Sequence, residues 1–471
     1  MVSGGTYGSR VAEAHRLGDL HVHGVNSPGG YWASWDCEKV TGKGSGSLSE
    51  RLKKLGIFLE RVRCEWHGFQ RLTSFDSLFE ETGSHNESMR TFIDDVERVM
   101  STEGSCPHAF LSVGEHLSRD EPHSPFIREL FETLKRGFWG AKGSPMMIPI
   151  VTVSDSKKWP LVDELHLFEA ASTLSSPIFI KTVRHEVDTV SNPWIDGCVS
   201  GVNTGVIGAI TPNLPRAAYD AESEDSFIER VGELVEISIA GLEARRTHLE
   251  GELRAGCFPI TATQATTFDD YFGALNVVGV HEALLNLLEK GIDSMQGKAV
   301  AYRIIETMCE RLDKHEEETG HRFCLEALPS NGASYRLAEI DKEKYPDIIT
   351  SGFEAPFYTN STCLPVDYTD DLWDALEHQK KLQTFYSGGT MFNIYLREGI
   401  SDPVECGTLA SRVLERSSVP CFAFSPSIIA SNVGAERYER LGFNYRAVSE
   451  LGAGEKEEVR LRRPYAVVSG W

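Results

Sequence analysis

The order of hydrophobic and polar positions along the chain predicts strands that alternate with helices. Residues 146–153 (MMIPIVTV) form a continuous apolar run rich in β-branched residues, and 177–180 (PIFI) form a second. Such runs are typical of strands that are covered on both faces. Apolar residues recur every three or four positions over 226–253 and again over 299–318, ahead of Gly320, which predicts two long amphipathic helices. Alternating strands and helices indicate an α/β barrel or a wound sheet.

Length and charge narrow the classes of protein that fit this pattern. The 471 residues exceed what one ordinary core supports, so several domains or one large barrel are expected. No low-complexity linker or internal repeat divides the chain, which favours one compact unit. No apolar run is long enough to span a membrane, and the first residues lack the features of a signal peptide, which favours the cytoplasm. The net charge of −22 argues against binding nucleic acid, because phosphate neutralisation requires a basic face.

The ten cysteines lie far apart, and no two are closer than fifteen residues. The chain therefore contains neither a zinc ribbon nor a thioredoxin-like pair. A cysteine taken alone is usually a small buried hydrophobe. Cys198 stands out because it follows Gly197 in a short turn ahead of Asn203 and a predicted strand, a position that suits presenting sulfur to a substrate. His21 and His23 share one strand face, and we expect a polar structural role for them rather than a metal.

Several blocks in the chain, taken in order, resemble the anaerobic (class III, glycyl radical) ribonucleoside-triphosphate reductase family. The resemblance runs from about residue 17 to about residue 430. Several blocks in the same order as in the family identify it more specifically than any single block does. The blocks are Gly18–His23, Asp36–Cys37, Asn203–Gly205 with Asn213–Arg216, Gly279–Asn286, Tyr358–Thr362 with Leu364–Val366, Thr369–Asp371 and Tyr386–Thr390.

The resemblance implies a fold and an activity. The fold would be a ten-stranded α/β barrel with a central finger loop, formed with its surrounding helices by residues 1–430, and 431–471 would be a degenerate or truncated glycyl radical loop. The activity would be the anaerobic reduction of ribonucleoside triphosphates to 2′-deoxyribonucleoside triphosphates by thiyl radical chemistry. Cys198 would be the thiyl that takes hydrogen from the 3′ carbon, Cys37 would donate hydrogen from across the ribose, and Asn203 would hold the sugar hydroxyls.

Two further segments would contact the substrate by the same resemblance. Asn360, Ser361 and Thr362 form one of them. Ser425 and Ser427 flank a proline in the other, where a helix N-terminus would face the phosphates. Each segment also has a structural interpretation: the first as a turn whose side chains bind their own backbone, and the second as an ordinary helix cap.

The last residues resemble the loop that stores the radical in this family, with Val467 in place of arginine and Trp471 in place of tyrosine. Gly470 would then carry a glycyl radical, and the alternative is a glycine in a frayed terminus. A radical at Gly470 implies an activating enzyme that uses an iron–sulfur cluster and S-adenosylmethionine.

Other members of the family carry features that this sequence does not show. The N-terminal ATP cone of many members is not expected here. Cys421 is the last cysteine, so no four-cysteine zinc site and no bound metal are expected either. A homodimer, with formate or a thioredoxin-like protein as reductant, is implied. Two alternatives remain open: a non-catalytic nucleotide-binding paralogue and another glycyl radical enzyme.

Overall fold

The computed structural model describes most of the chain. The described residues are 4–42, 44, 46–79, 86–100, 109–113, 129–132, 147–154, 165–174, 178–182, 203–327, 330–352, 355–365, 369, 371–396, 400, 402–426 and 465–467. The strands in this part of the chain are β1 Leu20–Val22, β2 Trp32–Asp36, β3 Gln70–Thr73, β4 Ala109–Val113, β5 Met147–Ser154, β6 Ile178–Thr182, β7 Thr204–Pro212, β8 Tyr271–Asn276, β9 Arg322–Ala327, β10 Gly389–Thr390, β11 Phe392–Leu396, β12 Cys421–Pro426 and β13 Tyr465–Val467.

Helices connect the strands. Their bounds are α1 Gly4–Tyr7, α2 Ser9–Leu17, α3 Cys37–Thr41, α4 Leu48–Val62, α5 Asn86–Met100, α6 Leu165–Leu174, α7 Leu214–Tyr219, α8 Glu224–Arg254, α9 Val280–Leu288, α10 Met295–Thr319, α11 Asn331–Lys344, α12 Leu372–Gln379 and α13 Pro403–Arg416. Short 3₁₀ turns occupy Phe75–Leu78, Thr261–Thr263 and Leu382–Phe385.

The strands form a nearly closed ten-stranded barrel made of two halves. Strands β2 to β6 are parallel neighbours, and β7, β8, β9, β10 with β11, and β12 form a second parallel set. The halves meet antiparallel where β2 pairs with β7 and β6 pairs with β12. The segment that contains β10 and β11 completes the second set of strands. Strand β10 pairs with β9, and β11, which begins two residues after β10 ends, pairs with β12. The predicted barrel is confirmed.

The two faces of each strand pack into different cores, which explains the continuous apolar runs. Every residue of β7 is buried. Val206 contributes to a cluster that also contains residues of opposite strands, whereas its neighbour Ile207 packs with the helices outside. The inner cluster lines the barrel and consists of Trp32, Ile148, Ile150, Ile178, Ile180, Val206, Ala209, Phe272, Ala274, Cys324, Met391, Cys421 and Ala423.

The two long helices lie outside the second half, as their apolar stripes predict. Helix α8 begins at a capping box formed by Ser223 and Ser226, and α10 begins after the N-cap Ser294 and ends at Gly320, whose φ is 72°. Arg246 of α8 donates to the backbone carbonyl of Tyr271 at 2.8 Å and so ties this helix to the start of β8. None of the described helices is both long enough and apolar enough to cross a membrane.

Candidate functional site

The end of β2 and the start of β7 form a seam between the two halves of the barrel. Ser34 pairs with Thr204 there, so Asp36 and Asn203 lie close together. The side-chain oxygen of Asn203 accepts from the Asp36 N–H at 3.0 Å, and its Nδ2 donates to the Gln264 carbonyl at 3.1 Å. The predicted site residue Asn203 is therefore anchored on both sides of its amide.

Cys37 directly follows this seam as the first residue of α3. Asp36 caps the helix, because its carboxylate accepts from the Lys39 N–H at 2.8 Å. The thiol is fully buried and belongs to the core between the sheet and the helices rather than to the cluster that lines the barrel. The structure thus brings Cys37 next to Asn203 in the fold, through Asp36.

A polar layer inside the first half was missed by the sequence interpretation. Ser34, Arg71 and Ser112 are each buried. Their neighbours on the three strands that belong to the outer core are Ala33, Trp35, Leu72, Leu111 and Val113. Ser34 and Arg71 are register partners on β2 and β3. The Arg71 Nε donates to the Ser112 hydroxyl at 2.9 Å. Arg71 is the one charged residue of β3, and a charged residue within a strand was the available signal for this layer.

Residues Asn360, Ser361 and Thr362 are buried beyond the end of β8. The Ser361 N–H donates to the Val277 carbonyl at 2.9 Å, and Ser361 has a φ of 47°. The Thr362 hydroxyl accepts from the Tyr386 hydroxyl at 3.0 Å, which brings two of the predicted blocks together. The Asn360 side-chain oxygen accepts from the Ser330 N–H at 3.4 Å, and its Nδ2 has no partner among the described residues.

Glu282 of α9 holds this segment in place. Its carboxylate is buried and accepts from the N–H of Thr359 at 3.0 Å, from the Thr359 hydroxyl at 2.6 Å and from the Ser351 hydroxyl at 2.5 Å. Three hydrogen bonds to an ionisable buried group satisfy most of its oxygen lone pairs. The segment is therefore fixed to the start of α9, directly after β8.

A second buried network fixes the same segment from the other side. Asp341 accepts from Arg216 Nε at 2.6 Å, from Asn213 Nδ2 at 2.7 Å and from the Tyr358 hydroxyl at 2.6 Å. Burial and the neighbouring Asp341 carboxylate raise the pKa of Tyr358. Arg216 also donates to the Asp19 carboxylate at 3.1 Å. Three of the blocks that resembled the family in sequence thus meet at Asp341.

A carboxyl group lies inside the barrel at the end of β9. Glu326 is fully buried, and Trp32 Nε1 donates to its Oε1 at 3.2 Å from the opposite half. Burial raises the pKa of Glu326 to about 8. A Cβ on Gly388 would lie 2.5 Å from the Glu326 Cγ and 2.7 Å from the Cys324 sulfur, so the glycine allows this close packing. The sequence interpretation did not select Glu326.

The histidines of the first block form a chain of ring contacts. The His15 and His21 ring centroids are 5.4 Å apart, and those of His21 and His23 are 4.8 Å apart. His23 Nε2 lies 2.7 Å from the Thr211 hydroxyl. Burial lowers the pKa of His21 to about 2 and that of His23 to about 3, so both rings stay neutral. In the described part of the chain no group of three or more ligating side chains is placed to hold a metal.

The remaining predicted residues lie at or beyond the limits of the described chain. Ser425 is in β12 and pairs with Tyr395. Cys198, Ser427 and Gly470 lie outside the described residues, so their roles stay predictions.

Comparison with known proteins identifies relatives in sequence and in fold. The family model described as anaerobic ribonucleoside-triphosphate reductase matches residues 3–436. The Haemophilus influenzae protein of that name is 26% identical over 287 residues, which covers 56% of this chain and 40% of the relative. The protein of that name from Enterobacteria phage T4 is 25% identical over 224 residues, which covers 43% of this chain and 34% of the relative. The chain thus spans less than half the length of these curated relatives.

The fold is similar to that of solved structures. The anaerobic ribonucleotide reductase from Thermotoga maritima in complex with dATP and CTP has a TM-score of 0.72 at 16% identity, and the match covers 89% of this chain and 79% of that one. At this identity the likeness concerns the fold alone.

Proposed function

The chain belongs to the anaerobic ribonucleoside-triphosphate reductase family, and from that premise we propose that it reduces ribonucleoside triphosphates to 2′-deoxyribonucleoside triphosphates. The family match over residues 3–436 is the observation that carries the proposal. The ten-stranded barrel supports it, as does the hydrogen bond from Asp36 to Asn203, which brings Cys37 beside Asn203. The product would be a precursor for DNA synthesis.

The reaction would be radical chemistry that starts at Cys198. Its thiyl takes a hydrogen atom from the 3′ carbon, and the 2′-hydroxyl then leaves as water. Cys37 donates a hydrogen atom to the 2′ carbon and is left as a thiyl, while the 3′ carbon has become a ketone. An external reductant returns a hydrogen atom to Cys37 and gives the ketone one electron together with a proton, and the hydrogen atom held by Cys198 then returns to the 3′ carbon, which restores the Cys198 thiyl. The reductant is either formate, which is oxidised to carbon dioxide, or a thioredoxin-like dithiol, which is oxidised to a disulfide.

Substrate binding would use polar groups at both ends of the barrel wall. Asn203 is anchored by Asp36 and Gln264, and this rigidity would help it to hold the ribose in register. Asn360 would contact the substrate through its Nδ2, together with the neighbouring hydroxyls of Ser361 and Thr362. The serines of the second predicted segment, Ser425 and Ser427, would contact the phosphates. Nucleotides bound to the Thermotoga maritima protein support this reading.

Gly470 would store the radical between turnovers. Strand β13 ends three residues earlier, at Val467, and pairs antiparallel with β11, so the segment before Gly470 adjoins the barrel. A separate activating enzyme with an iron–sulfur cluster would generate the radical from S-adenosylmethionine. The protein would work as a cytoplasmic homodimer.

The proposal is tested by separating radical formation from radical use. The full chain is incubated without oxygen with an activating enzyme, S-adenosylmethionine and formate, and the radical is measured by electron paramagnetic resonance. We expect a doublet signal and the conversion of CTP to dCTP. The variant C198S should keep the doublet and make no product, whereas G470A should lose both. Product formation by C198S, or no product from the wild type beside an active relative, would refute the proposed function.

A further inference from the structure

Three buried amide and carboxyl groups gather where β8 and β9 end. Asn276 and Glu326 are register partners on these adjacent strands. Each lies two residues after a member of the cluster that lines the barrel, Ala274 and Cys324, so both side chains point inward. Asn360 belongs to the segment that continues from this end, because its backbone bridges Val278. Asn276 and Glu326 are 0% exposed and Asn360 is 3% exposed.

Each of these side chains uses one polar atom and leaves the other without a partner in the part of the chain that the structure describes. The Asn276 oxygen accepts from the Val277 N–H at 2.9 Å, and the Asn360 oxygen accepts from the Ser330 N–H. These bonds fix the orientation of both amides, so their unpartnered atoms are the Nδ2 donors. Trp32 donates to Oε1 of Glu326 and leaves Oε2 unpartnered.

The unpartnered oxygen of Glu326 is a third donor at neutral pH. Burial raises its pKa to about 8, so the carboxyl is protonated at pH 7 and carries a hydroxyl. Cys324, which lies two residues earlier on the same face of the strand, is protonated as well, because burial raises the pKa of its thiol. From the adjoining elements Trp32, Asn276 and Gly388 face the carboxyl, and none of them bears a charge.

Buried donors without acceptors are rare, because each one loses its hydrogen bond to water on folding. Here three lie at the same end of two parallel strands. We propose that Asn276, Glu326 and Asn360 form a binding site for an oxyanion, either a phosphate group of a nucleotide or a free small carboxylate or phosphate. A negatively charged acceptor satisfies all three donors, and a neutral acid at Glu326 avoids the repulsion that a carboxylate would cause.

A nucleotide phosphate at this site rests on the proposed function, because Asn360 is assigned there to substrate contact. Equilibrium binding to the full chain involves no radical step, so loss of binding and loss of reduction are distinguishable outcomes. The probes are CTP, inorganic phosphate and acetate, measured by calorimetry at pH 7 and at pH 9. The variant N276D keeps the size of the side chain and turns a donor into an acceptor, so it should weaken binding at least tenfold. N276L removes the donor without adding a charge and should weaken binding less; it also serves if N276D does not fold.

The pH dependence separates a ligand contact from a structural role. Wild-type affinity should fall as the pH rises above the pKa of Glu326, by up to about tenfold per pH unit, because the ionised carboxylate repels the anion. E326Q presents a neutral N–H donor at every pH, so it should bind at pH 7 and keep its affinity at pH 9.

The three probes identify the source of the oxyanion. Weaker binding of acetate or phosphate to N276D supports a site for a free small anion, and weaker binding of CTP alone supports a nucleotide phosphate. Two results would overturn the proposal: equal binding of all three probes to wild type, N276D and N276L, or identical pH profiles for wild type and E326Q.

Discussion

The seam between β2 and β7 and the ends of β8 and β9 both present an asparagine from a buried strand end, yet they use it differently. At the seam, both ends of the Asn203 amide are bound by the protein. At the β8 end, Asn276 binds only through its oxygen, and the adjacent Glu326 likewise leaves one oxygen unpartnered. At the seam, the described residues therefore satisfy both polar atoms of the asparagine side chain. At the ends of β8 and β9, polar side-chain atoms remain without a partner among the described residues and are available to a ligand.

The largest expected effect comes from the buried ion pair behind the strand ends. R216A removes the cation that faces the fully buried Asp341, and an uncompensated buried carboxylate should lower the free energy of unfolding by about 3–5 kcal/mol. Urea unfolding measures this change. R230A is the matched control, because Arg230 pairs with Glu233 on the exposed face of α8, and its effect should stay below about 1 kcal/mol. Similar losses for the two variants would mean that the network does not order this end.

Glu326 should give this end a pH dependence of stability. Its pKa is about 8 in the folded protein, against an ordinary value of 4.5, so between these values the native state binds more protons than the unfolded state. The free energy of unfolding of the wild type should therefore fall relative to that of E326Q as the pH rises from 5 to 8, by up to about 1.4 kcal/mol per pH unit. Thermal or urea unfolding at several pH values measures it. A difference that does not change with pH would show that Glu326 ionises normally.

Gly205 at the seam and Gly388 beside Glu326 allow the two regions to be compared further. Gly205 lies close to backbone atoms, whereas Gly388 lies close to side chains. A Cβ on Gly205 would lie 2.3 Å from the Trp32 carbonyl oxygen at the seam, whereas on Gly388 it would meet the side chain of Glu326. G205A should therefore cost about 1–3 kcal/mol and G388A less, since side chains move more easily than paired strands. G251A is the control: nothing lies within 4 Å in α8, and alanine should stabilise the helix by about 0.5–1 kcal/mol. A larger loss for G388A than for G205A would contradict this ranking.

The apolar runs predicted an α/β barrel or a wound sheet, and the order of the family blocks predicted the ten-stranded barrel. Which face of each strand points inward was not predictable, because both faces are apolar: Phe323 packs outside and its neighbour Cys324 packs inside. The long helix predicted from 299 begins at Met295, because Ser294 supplies its N-cap.

The candidate site was only partly visible in the sequence. Asn203 and Asn360 were found through the resemblance. Glu326 and Arg71 were missed, since a charged residue in a strand becomes informative only when both faces of that strand are known to be buried. The contact of Arg216 with Asp341 joins positions 125 residues apart, and no local pattern indicates such a pair.

The smallest expected effect is the difference in the free energy of unfolding between alanine variants of Asn203 and Asn276. N203A removes the acceptor of the Asp36 N–H and the donor to Gln264, so it should lower the free energy of unfolding by about 1–3 kcal/mol. N276A removes one acceptor, but the same Val277 N–H also donates to the Glu326 carbonyl at 3.2 Å, so this buried group keeps a partner. It also deletes a buried donor that has no partner within the described ranges of the chain. The loss for N276A should therefore be smaller by about 1 kcal/mol in urea unfolding, and a loss as large as that for N203A would mean that the amide at the β8 end is also part of the scaffold.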